Sequence, residues 1–331
     1  MSILEKYRNP NLLEEYKKHF EKLKKIKTSP VETITQFYNF IMQAAMATND
    51  EQLQNAINGA SELMTDDVQI HHQGVEHQKH PYWYLYYGKN GCKSWLNSIF
   101  AEFILAGFIP SYMVVDDNKI SYHVLEKGYL INFNNHLVEF ENLHTFHITS
   151  NGKISKVELI PDTYVVVKAE DDEKVTSVYL NSDYKVNSYE FNKDHNVRYA
   201  KKAINAFLKG DFDKIESILS DDVEVVVLGP KKDEVDISFA GKFTGKDQVK
   251  NFIKSFSEEI LDIDEYDYMS DSNKLDVLLL LEGGATKTDR VFSCDALFGF
   301  QFNEQGNIAR LFCNIDTEQV AIAYMIFKKK F

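Results

Sequence analysis

The chain repeats itself. Asp66-Asp67-Val68 returns as Asp221-Asp222-Val223, and Asn118-Lys119-Ile120 as Asn273-Lys274-Leu275, each at an offset of 155. Gly88-Lys89 returns as Gly245-Lys246 at 157. Gly152-Lys153-Ile154 and Asp162-Thr163 return at 154, as Gly306-Asn307-Ile308 and Asp316-Thr317. Matches in this order at nearly one offset mark a domain duplication, because the period is far too long for a solenoid. A length of 331 residues suits two domains of ordinary size.

Both copies open with helical patterns. Ser29-Pro30-Val31-Glu32 supplies an N-cap, a proline at the first helical position and an acid in the first turn. Ile34, Phe37, Tyr38, Ile41, Met42 and Ala45 follow at helical spacing, and a second helix covers about 51–64. In the second copy Val197, Ala200, Ile204 and Phe207 make the stripe, Gly210-Asp211 breaks it, and Ile215, Ile218 and Leu219 continue. A third helix follows each Gly-Lys pair. Alternating runs of strand type come next: Tyr112–Val115, Ile120–Leu125, Leu130–Phe133, Leu137–Ile148 and Ile154–Ile160 in the first copy. Helices followed by an antiparallel meander is the α+β order.

The pattern divides the chain into an N-terminal amphipathic helix (1–28), a first domain (29–164), a connector (165–193) and a second domain (194–331). Tyr164–Val167 and Val175–Leu180 read as the strands of a connector hairpin. In the N-terminal segment Leu13, Tyr16, Phe20 and Leu23 share one face, ringed by lysines, as expected of a helix that docks on its own protein. The C-terminal Lys328-Lys329-Lys330 is a short basic tail.

Composition removes several function classes. A net charge of −13 argues against a nucleic-acid footprint. There is no signal-type leader and no apolar run of membrane-spanning length, so a soluble, cytoplasmic protein is expected. Three scattered cysteines suit neither a disulfide framework nor a zinc site. No phosphate-binding or dinucleotide-binding glycine loop occurs, and no cofactor is implied.

Two helices, Asp-Asp-Val entering a strand, Gly-Lys opening a third helix, and strands ending in Asn-Gly-Lys-Ile resemble the SnoaL-like branch of the nuclear transport factor 2 (NTF2) superfamily. The likeness covers about 30–164 and 194–331. It implies two tandem NTF2-like cones, each a curved antiparallel sheet wrapped around helices and enclosing a pocket. The superfamily hosts isomerases, cyclases, dehydratases, hydrolases and plain binders, so the resemblance bears on fold more than on activity.

The resemblance also marks positions. Ketosteroid-isomerase-like members place a general base five residues after the acidic pair, which is His72 here, counted from Asp67. They place a proton donor eight residues before the turn glycine, which is His144, counted from Gly152. A tyrosine of the first helix assists, and Tyr38 is the only one in that helix. The family uses Asp at the first two positions, so histidine at both departs from the steroid-isomerase pattern. Strand alternation gives an independent reading. It puts His72 with Val68 and Ile70 on one face, and His144 with Phe140, Asn142, Phe146 and Ile148 on another. Tyr122 or His123 joins them, with parity open. His72 aligns with Val227, His123 with Leu278 and His144 with Phe298, so any chemistry belongs to the first copy. The second reads as a degenerate, apolar cone that pairs intramolecularly with the first; an oligomer remains an alternative.

The expected function is binding of a small apolar or aromatic molecule in the first cone. His72 is the candidate base and His144 the donor, with Tyr38, Tyr122, His123, Phe140, Asn142 and Phe146 as pocket residues. A neutral imidazole is suited to such work near neutral pH. The catalytic version is a cofactor-independent isomerase, lyase or polyketide-cyclase-like enzyme; the alternative is a non-enzymatic ligand-binding or protein-interaction scaffold. His71, His72, His77 and His80 lie close in sequence but lack the spacing and partners of a metal site. His77 and His80 read as a solvated rim, and the aromatic run Pro81–Tyr87 as a lid or as packing.

Overall fold

The computed structural model describes residues 7–23, 29–74, 80–170, 174–176, 191–230 and 234–325. His77, the basic tail and most of the second connector strand lie outside them. The chain forms two units, the first ending at Thr176 and the second containing all of the chain from Asp183 onward.

The first unit begins with helices α1 (Leu12–Leu23), α2 (Ser29–Met46) and α3 (Asp50–Glu62). The Asn49 side chain caps α3 by accepting from the Gln52 amide at 2.9 Å, a contact worth about 1 kcal/mol. Helix α2 buries Val31, Ile34, Phe37, Tyr38 and Met42. Each such side chain contributes roughly 1.5–3 kcal/mol, which outweighs the helix's modest propensity. Strands β1 (Met64–His72) and β2 (Leu85–Tyr87) and helix α4 (Gly88–Glu102) follow, then β3 (Phe103–Asp116), β4 (Lys119–Leu130), β5 (His136–Ile148) and β6 (Ile154–Pro161). Helix α5 (Thr163–Lys168) and the short β7 (Lys174–Thr176) close the unit.

The sheet runs β2-β1-β6-β5-β4-β3, with β7 beside β5. The meander β3–β6 is antiparallel as expected, but β1 joins β6 in parallel, so the sheet is mixed. Register shifts at Leu105/Gly107 and Pro110/Tyr112 bend β3, the usual effect of a bulge. The helices pack on the concave face.

The second unit repeats this with α6 (Lys193–Lys209), β8 (Leu219–Val227), β9 (Gly241–Thr244), α7 (Lys246–Glu259), β10 (Ile260–Asp271), β11 (Lys274–Ala285), β12 (Arg290–Phe302), β13 (Ile308–Ile315) and α8 (Thr317–Tyr324). Its sheet order is β10-β11-β12-β13-β8-β9, again with one parallel pair. Both units are thus α+β cones. Two expectations change. Ile215–Ile218 forms 3-10 turns rather than more α-helix. Tyr164–Val167 is helical, not a strand, because the chain turns at Asp162 and buries Val165 and Val166 on one side.

The matched residues sit at turns. Gly88 and Gly245 have φ of +68° and +77°, and a Cβ on Gly88 would meet the Asp66 carbonyl at 2.8 Å. Lys89 reaches Asp66 and Lys246 reaches Asp221, so the two motifs of each copy pair with one another. Gly152 and Gly306 hold the last hairpin turn at φ of +76° and +78°. Among the described residues no helix is long and apolar enough to cross a membrane.

Candidate functional site

Pairing registers build the site. His72 on β1 stands opposite Leu159 on β6, Leu159 opposite His144 on β5, and His144 opposite Tyr122 on β4. These four share one rung and one face. Two strand spacings separate the histidines, roughly 10 Å between their Cα atoms. The inward face over this rung borders a cavity of about 80 Å³, room for several waters or a small ring. Tyr38 and Phe37 from α2, Trp95 from α4, Phe140, Asn142 and Phe146 from β5, and Glu126 from β4 line it with the histidines. Among the described residues no lysine or arginine does.

His72 is buried, and Trp95 Nε1 donates to its Nδ1 at 3.2 Å. An indole N–H can only donate, so neutral His72 carries its proton on Nε2. Burial foremost, with His144, His71 and His80 adding, holds its pKa well below 6.5. Held this way, neutral His72 presents its Nε2–H as a hydrogen-bond donor.

His144 is held from both ends. Its Nδ1 meets the Tyr38 hydroxyl at 2.5 Å, and its Nε2 lies 3.1 Å from Glu126 Oε1. Facing a carboxylate, Nε2 carries the proton and Nδ1 accepts from Tyr38. The Nε2 contact is off the axis of a good hydrogen bond, which leaves this buried N–H able to serve a ligand. Burial first, then Tyr16 and Glu126, raises the Tyr38 pKa well above 10, so the phenol keeps its proton. Asn142 Nδ2 donates to Glu126 Oε1 at 3.1 Å. Among the described residues Glu126 Oε2 takes no hydrogen bond, and Asn142 Oδ1 has no partner.

The other expected residues divide. Phe140, Asn142 and Phe146 line the cavity. Tyr122 lies behind it, stacked on Tyr38 with ring centroids 5.1 Å apart. His123 is placed elsewhere: the register that pairs Tyr122 with His144 turns His123 to the opposite face, against Tyr112 at 4.7 Å. His80 is fully buried, not a solvated rim residue. The run after it splits, with Tyr82 and Trp83 on the cavity wall and Tyr84, Leu85 and Tyr87 exposed. Among the described side chains of α1, Leu12 and Tyr16 are buried, and Tyr16 packs 5.9 Å from both Tyr38 and Phe108.

Glu126, Trp95 and Tyr82 are the site residues that sequence reasoning missed. Glu126 lies just past the strand read as Ile120–Leu125, yet it shares the parity of Tyr122 and Val124. Extending the strand by one residue would have exposed an inward acid.

The second unit offers an internal control. Its equivalent rung is Val227, Cys313, Phe298 and Val277. Asn142 becomes Ala296 and Glu126 becomes Leu281, all buried. Phe207, Phe252, Phe256 and Phe298 fill that interior edge to face.

No family model and no curated protein matches the sequence. Solved structures do. An NTF2-like protein from Burkholderia xenovorans LB400 is 20% identical, covering 40% of this chain and 97% of its own, with a TM-score of 0.35. A putative isomerase from Rhodopseudomonas palustris is 19% identical, covering 38% and 91%, with a TM-score of 0.33. A putative SnoaL-like polyketide cyclase from Jannaschia sp. CCS1 is 10% identical, covering 43% and 96%, with a TM-score of 0.34. Identities this low concern the fold alone.

Proposed function

We propose that the first unit binds a small, uncharged, largely apolar carbonyl compound and acts on it by cofactor-independent acid–base chemistry. The observation that carries this is a carboxylate anchored inside an aromatic cavity, whose neighbours Asn142 and His144 are Ala296 and Phe298 in the second unit. Asn142 donates to Glu126 Oε1, His144 Nε2 lies 3.1 Å from the same oxygen, and Oε2 is left to act as base. His72 Nε2–H, fixed by Trp95, donates to the carbonyl oxygen. Oε2 takes a proton from the carbon beside the carbonyl, negative charge develops on the oxygen, and the His72 donor stabilises it. Protonated Glu126 returns the proton to a different carbon, which is an isomerisation, or the enolate attacks a second carbonyl, which is a cyclisation.

Here the base moves from His72 to Glu126, with His144 as its positioning residue. The described lining carries no lysine or arginine, which disfavours anionic ligands beside a carboxylate. The test is hydrogen–deuterium exchange at the α-carbon of a panel of small aromatic and cyclic ketones in deuterated buffer. Catalysed exchange is expected for the wild type. Glu126→Gln should cut it by about 100-fold or more while still binding the ketone. Binding without exchange in the wild type would instead support the non-enzymatic ligand-binding alternative.

A further inference from the structure

A second group of ionisable side chains adjoins the cavity. His80 Nε2 lies 3.1 Å from Glu170 Oε1. Its Nδ1 lies 3.2 Å from the Tyr82 hydroxyl and 3.6 Å from Glu102 Oε2. The ring packs on Trp83 at 4.5 Å and Phe133 at 5.8 Å. Glu102 is the last residue of α4, and Glu170 follows α5. Tyr82 belongs to both groups: its ring lines the cavity, 5.3 Å from that of His72, and its hydroxyl meets His80. Among the described residues, the groups facing His80 include Tyr82 on its own loop, Glu102 from α4, Glu170 beyond α5 and His72 from β1.

The duplication shows that this arrangement is not a requirement of the fold. Glu259 ends α7 as Glu102 ends α4, and it too is buried. Its carboxylate accepts from the Thr286 amide at 2.9 Å, the Thr286 hydroxyl at 2.8 Å and the Ser238 hydroxyl at 3.4 Å. Among the described residues Glu102 Oε2 has no hydrogen-bond partner. One copy has a satisfied structural carboxylate; the other keeps a buried acid beside an imidazole that meets the cavity-lining Tyr82.

We propose that Tyr82, His80, Glu102 and Glu170 form a proton-transfer site that serves the cavity, an assignment that rests on the cavity reading above. In the loaded state His80 is protonated, its Nε2–H held by the Glu170 carboxylate and its Nδ1–H by the Tyr82 oxygen. The Tyr82 O–H bond breaks as its proton passes to a basic atom of the ligand. The Nδ1 proton of His80 moves to the phenolate oxygen, and the Glu102 carboxyl supplies its proton to Nδ1. One proton has moved from Glu102 to the ligand, and solvent recharges the carboxylate. Burial pushes the Glu102 carboxyl up to about 7, so it holds a proton to share near neutrality. Burial first, then Glu102, Glu126 and Glu170, raises the Tyr82 pKa, so its hydroxyl stays protonated until a partner takes the proton.

The two tryptophans make the test direct. Trp95→Phe leaves Trp83 as the sole emitter, against His80, whose imidazolium form quenches indole. The expected result is a rise in emission with a midpoint near neutrality. Glu102→Gln should lower that midpoint by about half a pH unit, because Glu102 ionises through the same pH range and its carboxylate form favours the imidazolium. Saturating benzamide, whose carbonyl accepts from Tyr82, should raise the midpoint in the parent and leave it unmoved in Tyr82→Phe. A mere structural clasp would not couple to the cavity. No transition between about pH 5 and 9, or an equal benzamide effect in Tyr82→Phe, overturns the proposal. If Trp95 in a Trp83→Phe variant ignores benzamide altogether, the cavity reading itself is overturned, so the two failures are distinguishable.

Discussion

The twin carboxylates Glu102 and Glu259 should respond in opposite directions to the same substitution. Burial raises the Glu102 carboxyl from its ordinary 4.5 to about 7. The folded chain then holds this proton more tightly than the unfolded one. The associated stability is present below about pH 4.5 and is lost as the pH rises through about 7. At about 1.4 kcal/mol per pH unit, the full loss is about 3 kcal/mol. Partial solvent access screens part of it, so about 1–3 kcal/mol is the working range. Glutamine mimics the protonated acid, so Glu102→Gln should recover that amount at pH 8 and nothing at pH 4.5. Glu259→Gln should cost about 1.5–3 kcal/mol at pH 8, since it removes a charged acceptor from the bonds to Thr286 and Ser238. Urea unfolding resolves the two. Both tryptophans, Trp83 and Trp95, lie in the first unit and report its transition, while circular dichroism also follows the second. A Glu102→Gln variant that is less stable than wild type at pH 8 would refute the reasoning.

Three further outcomes follow from the geometry. Tyr38→Phe strips His144 Nδ1 of its buried partner and should cost about 1–3 kcal/mol, with nitrogen NMR showing His144 no longer confined to one tautomer. Because His72 resists protonation below its ordinary 6.5, the unfolded chain takes up a proton there that the folded one refuses. Stability should fall as the pH drops below about 6.5, and His72→Gln should remove that slope from the denaturation series. The pair His72→Val with His144→Phe copies the second unit's rung; ligand binding should vanish while the first unit still unfolds cooperatively, as checked by calorimetry.

What the sequence made legible was the frame. Gly88, Gly152, Gly245 and Gly306 sit at positive φ, and Asp66 and Asp221 pair with the lysines of the Gly-Lys motifs, so local geometry fixes these residue types wherever the fold recurs. Strand parity placed His72 and His144 on inward faces. The chemistry was less legible because it depends on neighbours across strands and helices. That Trp95 turns His72 into a donor follows from α4 lying against β1, a contact 23 residues apart in sequence. That Glu126 is the anchored acid follows from β4 running past Leu125. His80 stood in a polar stretch, and nothing local indicates that Glu102 and Glu170, far along the chain, bury it.

The central claim is that the first unit's cavity is a ligand site built around a donor histidine and an anchored glutamate. It is tested most directly by nitrogen NMR of the histidines during titration with small aromatic and cyclic ketones. The account predicts that one ligand moves His72 and His144 together and saturably. His72 should keep its proton on Nε2 throughout, and His123, on the opposite face, should not respond. If no ligand moves either histidine, or if His72 carries its proton on Nδ1, the account is contradicted.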